Sequence, residues 1–528
     1  MISVNHPSRP ASDNRPLVSL CMIVKNEEEN LGLCLDDASQ VADEIIVVDT
    51  GSTDNTKAIA TASGAKVYNF EWIDDFAAAR NASLGHARGQ YILWLDADDR
   101  IEPAAIAKFK QFKMDLAQTT PKAYALKVVC QGMFGERAVF YQVRLFPNNA
   151  GMRFAGTVHE SPAQSIAQAG LDIKQADIEI VHTGYDDYDA ASEKVRRNLK
   201  ILQAGPLDGQ NMADHNFRLA QCYVGLRDYQ NCLEHLIKAR TAGPERPFYK
   251  ESYAMLADCY RQTDQRDMAI SILRQGVAEF PQSGQLYHLL GAALTLDGAF
   301  ANALFYLEQS RKLTIEVGSS PVPTDIDGRR CYFQARCLAG LGRLDEACAL
   351  FQKALKTVKG DPDMLRAYAL LRLKMGEINE ADTYLAEARA VSHGIDRRTW
   401  LASARLDVFL NRPKQALNLY LAMVDDFNND VDGLVGIVSV SIVLADVIHL
   451  GLALEKLAGL VNLGNDIEIS STAALAKFIA EIGAGLETAG DYENRTILKN
   501  IAQRTDFDIF FQQCNQPGTQ PVQAAAPQ

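Results

Sequence analysis

The chain has 528 residues, 23% of them charged and 47% hydrophobic, with a formal net charge of −13. That length holds two or three domains with substantial cores. The acidic balance, with no basic stripe to offset it, excludes nonspecific nucleic-acid binding. Ten cysteines are scattered without a Cys-x-x-Cys pair, which excludes a disulfide framework and a cysteine zinc site and predicts reduced core thiols in a cytoplasmic protein.

Residues 1–16, polar with three prolines, predict a flexible leader without the apolar core of a signal peptide. Residues 17–24 read as a buried strand closed by Lys25-Asn26-Glu27-Glu28, followed by a helix through Leu31, Cys34 and Leu35. A second strand, residues 44–48, ends in Asp49-Thr50-Gly51-Ser52-Thr53-Asp54. There the chain turns at Gly51 and enters a helix capped by Ser52 or Thr53. A third strand over 66–70, a helix over 75–86 and an apolar strand from Tyr91 lead to Asp96-Ala97-Asp98-Asp99. This alternation predicts a doubly wound parallel sheet, whose strand ends carry Asp49 and Asp96 into one crevice. Three carboxylates within four positions suit ligation of a hard cation, Mg²⁺ or Mn²⁺. The alternative reading is an acidic cap for the helix opened by Pro103.

Four blocks, VSLCMIVKNEEENL, EIIVVDTGSTDNT, DDFAAARNASL and YILWLDADD, stand in a familiar order and spacing. Through them residues 17–182 resemble a family 2 glycosyltransferase of the GT-A type fold. The resemblance implies transfer of a sugar, a hexose foremost, from a nucleotide-sugar donor, usually with inversion and with a divalent cation. At the matching positions it implies that Asp98 ligates the metal and that Asp96 serves the metal and the ribose, with Asp99 able to take either part. It implies that Asp49 faces the nucleoside and that Arg80 lies near the nucleotide, paired with Asp49 or phosphate; an ordinary helix-surface arginine is the alternative. Thr50 stands where many relatives carry a second acid, which leaves the donor base open.

Farther along come Arg144-Leu145-Phe146-Pro147, then Phe154-Ala155-Gly156-Thr157-Val158-His159-Glu160, then Val181-His182-Thr183-Gly184-Tyr185. An inverting transferase needs a base for the acceptor proton, and Glu160 is the candidate. His182 or His159 is the candidate to complete the metal site or contact the diphosphate.

From about residue 211 the chain repeats every 34 residues, as from Ala257 to Gly291. Tyr253, Ala257, Tyr260, Ala269, Leu273, Gly276 and Pro281 follow the tetratricopeptide pattern, and later turns of it fall at Ala335 and Ala347, Ala369 and Ala381, and Ala404 and Ala416. Small residues let paired helices approach while large ones fill the gap. The run over 434–450 is too short and too interrupted to span a membrane and predicts one buried capping helix. The expected division is a leader (1–16), a transferase domain (17–205), a solenoid of about six repeats (211–428), a helical cap (429–510) and a disordered tail (515–528). The fold class is thus an α/β GT-A type nucleotide-sugar-binding domain followed by an all-α tetratricopeptide-repeat solenoid. A protein or peptide acceptor suits a concave repeat surface. The opening blocks also resemble lipopolysaccharide-core glucosyltransferases, so a cell-surface glycan acceptor, reached by peripheral membrane association, is the alternative. A third reading is an inactive transferase-like scaffold.

Overall fold

The computed structural model describes residues 15–131, 137–184, 188–205, 212–246, 248–313, 322–392, 394, 396–461, 463, 472–488 and 491–503. The expected tail, nearly all of the leader and Tyr185 lie outside them. The chain divides into two units, Met1–Ile326 and Asp327–Gln528.

The first unit opens with an α/β domain. Its strands are β1 (Val18–Val24), β2 (Glu44–Asp49), β3 (Lys66–Asn69), β4 (Tyr91–Trp94), β5 (Asp99–Arg100), β6 (Ala123–Gln131), β7 (Arg137–Pro147) and β8 (Ile173–His182). Helices α1 (Leu31–Ala38), α2 (Thr56–Ala62), α3 (Phe76–His86), α4 (Pro103–Leu116) and α5 (Ala163–Gln168) connect them. The strand order is β3-β2-β1-β4-β7-β6-β8-β5. The first four strands are mutually parallel, as the alternation predicts. The sheet is not parallel throughout, however: β7 runs antiparallel to both β4 and β6, and β5 antiparallel to β8. An antiparallel partner needs no crossover helix, and among the described residues between 123 and 147 there is none.

Side chains alternate across β1. Leu20, Met22 and Val24 enter one core with Leu31, Leu35 and Phe109, while Cys21 joins Ile46, Ile92, Trp94 and Phe146 on the other face. Each large apolar side chain so buried contributes about 1.5–3 kcal/mol. The helix after β2 begins at Thr56, and its N-cap position is Asn55 and not Ser52 or Thr53; the Ser52 hydroxyl instead accepts from the Asn26 backbone N–H, 2.9 Å.

Helix α6 (Tyr188–Ala204) leads into three helical pairs: α7 (Met212–Gly225) with α8 (Tyr229–Arg240), α9 (Tyr249–Gln262) with α10 (Arg266–Glu279), and α11 (Gly284–Leu296) with α12 (Phe300–Lys312). Each pair turns through a left-handed residue, Arg227, Asp264 or Gly298. The small repeat positions are sterically required, since a Cβ at Gly291 would lie 2.6 Å from Leu307 Cγ. A two-residue strand, β9 (Val322–Pro323), pairs with β7.

The second unit continues the pattern with α13 (Ile326–Gly340) and α14 (Leu344–Thr357), α15 (Pro362–Lys374) and α16 (Ile378–Val391), and α17 (Arg397–Phe409) and α18 (Pro413–Asp426). Next come α19 (Val431–Leu444), α20 (Val447–Leu460), α21 (Thr472–Thr488) and α22 (Tyr492–Ala502). The run over 434–450 is therefore not one helix. Ala445 is left-handed, with φ 53°, and Asp446 caps α20 by accepting from the His449 N–H. Among the described residues no helix is long and apolar enough to cross a membrane. The nine described cysteines are free, and all but Cys348 are buried.

Candidate active site at the ends of the parallel strands

The two signature loops of the α/β domain hold each other. Asn26 Oδ1 accepts from Thr53 N–H at 2.9 Å, Thr56 Oγ1 from Glu27 N–H at 2.7 Å, and Glu28 Oε2 from Asn55 N–H at 3.1 Å. The KNEE and DTGSTDNT segments thus form one rim over the ends of β1 and β2. Asp49 is buried beneath it, its carboxylate accepting from the N–H groups of Gly51 and Ser52 at 3.1 Å, with Lys57 Nζ 3.7 Å away.

Beyond the end of β4, Asp96, Asp98 and Asp99 are joined by His182, and one ligand atom from each lies within 4.8 Å of the others. Strand register makes the fourth member: in the β5–β8 ladder Asp99 stands directly opposite His182. His182 Nδ1 lies 2.9 Å from Asp99 Oδ1 and 3.4 Å from Asp98 Oδ1. Gly184 is part of the same design. A Cβ there would collide with Asp98 Oδ2 and lie 2.9 Å from His182 Nε2, so its absence leaves a cradle bordered by a carboxylate oxygen and an imidazole nitrogen. Carboxylates plus one imidazole, in a cradle kept open by glycine, fit Mn²⁺ or Mg²⁺.

Three cations balance the three carboxylates. Arg80 Nη2 donates to Asp96 Oδ1 at 2.6 Å, Arg144 Nη1 to Asp99 Oδ2 at 2.9 Å, and Lys194 Nζ to Asp98 Oδ2 at 2.9 Å. The arginines are buried, and both guanidiniums lie over the Trp94 ring, their Cζ atoms 4.2 and 3.8 Å from its centroid. Burial works against ionisation of Asp96, but the charges of Arg80, Arg144 and His182 outweigh it and hold its carboxyl below the usual carboxylate range. Burial likewise opposes protonation of His182. The hydrogen bond to Asp99 and the charges of Asp98, Asp99 and Asp96 prevail and raise its pKa. At the end of β1, burial raises the Glu27 carboxyl, and it feels Asp98, Lys194 and Asp96.

Arg80 is neither a surface residue nor a partner of Asp49. Its second donor, Nε, reaches Glu160 Oε1 at 2.5 Å, so one guanidinium ties Glu160 to Asp96. Glu160 Oε2 has no hydrogen-bond partner among the described residues. His159 turns the chain before Glu160 with φ 54° and stays out of the metal cluster; burial, then Arg218, lowers its pKa. The candidate residues Asp96, Asp98, His182, Arg80 and Glu160 therefore converge, while Asp49 is held under the rim by Gly51, Ser52 and Lys57 and is not one of the clustered ligands. Sequence reasoning missed Lys194 and the parts played by Gly184 and Arg144, the one keeping the cradle open and the other balancing charge. Arg144 and Lys194 lie far along the chain from the carboxylates they pair with, Asp99 and Asp98, and only strand pairing and the return of α6 bring them in.

Residues 19–119 match the family model for glycosyl transferase family 2, and residues 250–282 and 328–357 match a tetratricopeptide-repeat model. A tetratricopeptide-repeat-containing protein of Synechococcus elongatus is 41% identical over 144 residues, 27% of this chain and 34% of its own length. The glycosyltransferase SunS of Bacillus subtilis is 25% identical over 194 residues, 36% of this chain and 44% of its own length. The chain thus spans less than half the length of these two relatives. Among solved structures, the type IV pilus biogenesis factor PilW superposes on 42% of this chain and 96% of its own, with 16% identity and a TM-score of 0.36. The chain carries a family 2 glycosyltransferase domain in its N-terminal part, followed by tetratricopeptide repeats.

Proposed function

We propose that the protein is a metal-dependent, inverting glycosyltransferase that moves a sugar from a nucleotide-sugar donor to a protein or peptide acceptor recruited by its repeats. The observation that carries the reading is the convergence of Asp96, Asp98, Asp99 and His182 on one cradle with Glu160 tethered beside them through Arg80. A scaffold without activity would have no need to keep these groups together.

In this reading Asp98, Asp96 and His182 hold Mg²⁺ or Mn²⁺. The bound cation would supply charge stabilisation for the departing nucleoside diphosphate. Asp99, fully buried, orients His182 and accepts from the Asp96 N–H at 2.8 Å, so its part is to fix the ligands. Asp49 and the rim over it form the nucleoside side of the crevice. Glu160 takes the acceptor proton on Oε2 while Arg80 fixes Oε1, which aims the carboxylate. The tetratricopeptide repeats favour a protein or peptide acceptor over a cell-surface glycan. The test is transfer, by the full chain with Mn²⁺, of a radiolabelled sugar to protein or to lipid-extractable glycan in lysate. Label in the glycan fraction alone would move the acceptor to the second class.

A further inference from the structure

The three cations around the acid cluster are not equivalent. Arg80 and Arg144 have side chains only 6% and 3% exposed, each on Trp94, so neither can leave its carboxylate without unstacking. Lys194 is 41% exposed and projects from α6, on a flexible four-carbon stem carrying a compact charge. Its ammonium contacts Asp98 Oδ2, the same oxygen that borders the Gly184 cradle. A divalent cation that sits in the Gly184 cradle and takes Asp98 through that oxygen must therefore displace the ammonium from it, and two positive charges a few ångströms apart in a partly buried site repel strongly. One turn along the same helix, Arg197 adds a second positive charge, its Cζ 5.1 Å from the Phe76 ring centroid.

From this geometry we infer that Lys194 is the exchangeable counter-ion of the site: it neutralises Asp98 until a divalent cation arrives, then carries its charge to the diphosphate of the donor. The inference rests on the reading of the crevice as a nucleotide-sugar site. The exchange conserves charge, since the ammonium gives up a carboxylate oxygen and gains a phosphate oxygen without proton transfer. Glu27, whose carboxyl already feels Lys194, is the competing destination.

Calorimetric titration of the full chain tests it in two steps, first with Mn²⁺ alone, then with UDP, GDP and dTDP in saturating Mn²⁺. Lys194→Met is expected to bind Mn²⁺ alone several-fold more tightly than the wild type, because the competitor is gone. It is expected to bind the preferred nucleoside diphosphate about tenfold more weakly, the scale of one charge-assisted hydrogen bond. Lys108→Met, which removes a surface lysine paired with Asp177 at 2.6 Å, controls for net charge and should change neither constant. Lys194→Gln provides a second variant, and matching thermal melts establish that both fold. Tighter Mn²⁺ with unchanged diphosphate affinity would overturn the transfer and send the ammonium to Glu27. Two unchanged or two weakened constants would overturn the inference. A wild type that binds neither Mn²⁺ nor any of the three nucleotides would overturn the site reading, and this inference with it.

Discussion

Arg218, in α7 of the first helical pair, donates from Nη1 to the carbonyl oxygen of Val158, two residues before Glu160. Around that bond Val158 packs with Leu219 and Cys222 of α7 and with Ile201 and Leu202 of α6. A Cβ on Gly156 would run into the Arg218 guanidinium, so the loop and the helix are fitted to each other. The first repeat is thereby part of the support for the candidate base.

A chain ending at Gly205 would expose Val158, Ile201 and Leu202. We expect it to melt at a lower temperature and less cooperatively than a chain ending at Ile326, the boundary of the first unit. Within the full chain, Arg218→Met should lower kcat by about 10- to 100-fold through misplacement of Glu160, with donor affinity within about twofold and partial recovery in Arg218→Lys. Equal loss of donor affinity would assign Arg218 to the donor side instead.

Glu160→Gln should slow transfer by about 10²–10⁴-fold while sparing donor binding, because a base acts on the acceptor proton. Steady-state rates paired with equilibrium dialysis of the donor separate the two. A parallel fall in donor affinity would make Glu160 a binding residue.

The parallel half of the domain yields a pH prediction. Glu44 is buried at the start of β2 and accepts from Ser19 Oγ at 2.6 Å, Arg88 N–H at 2.8 Å and Lys66 Nζ at 2.7 Å. Burial pushes its pKa up, but Lys66, Ser19 and Arg88 together bring it below the ordinary glutamate value. A carboxyl depressed in the folded state contributes stability that is present above its unfolded pKa and lost as pH falls through the folded value. Glu44→Gln should therefore cost about 1–3 kcal/mol near neutrality, and the gap between variant and wild-type urea midpoints should begin to close only as pH falls below the ordinary glutamate range and vanish as it passes through the depressed folded value. A gap independent of pH would place the cost in packing.

Asp96, Asp98 and Asp99 were legible in the sequence because an apolar strand and the acids at its tip are adjacent in the chain. Their partners were not, since Arg144 arrives through an antiparallel ladder and Lys194 through a helix that follows the last strand of the domain. The mixed half of the sheet was hidden for a related reason: a strand's apolar pattern does not state its direction. In the run over 434–450 the break falls at Ala445, a residue with no turn signature, and Asp446 was its one visible mark. The repeats were plain because small and aromatic residues recur at fixed spacing, and each side chain answers to a neighbouring helix.

The cation and the donor can be tested together by incubating the full chain with UDP-, GDP- and dTDP-sugars in Mn²⁺ and following slow hydrolysis, with chelator and Asp98→Asn as paired controls. We expect hydrolysis of one donor class, abolished by chelator, and reduced more than about tenfold in a normally folded Asp98→Asn, because a hard carboxylate ligand is lost. Hydrolysis that persists at full rate in chelator and in Asp98→Asn, or no hydrolysis of any donor by a chain that also binds no Mn²⁺, would contradict a metal-dependent transferase at this site.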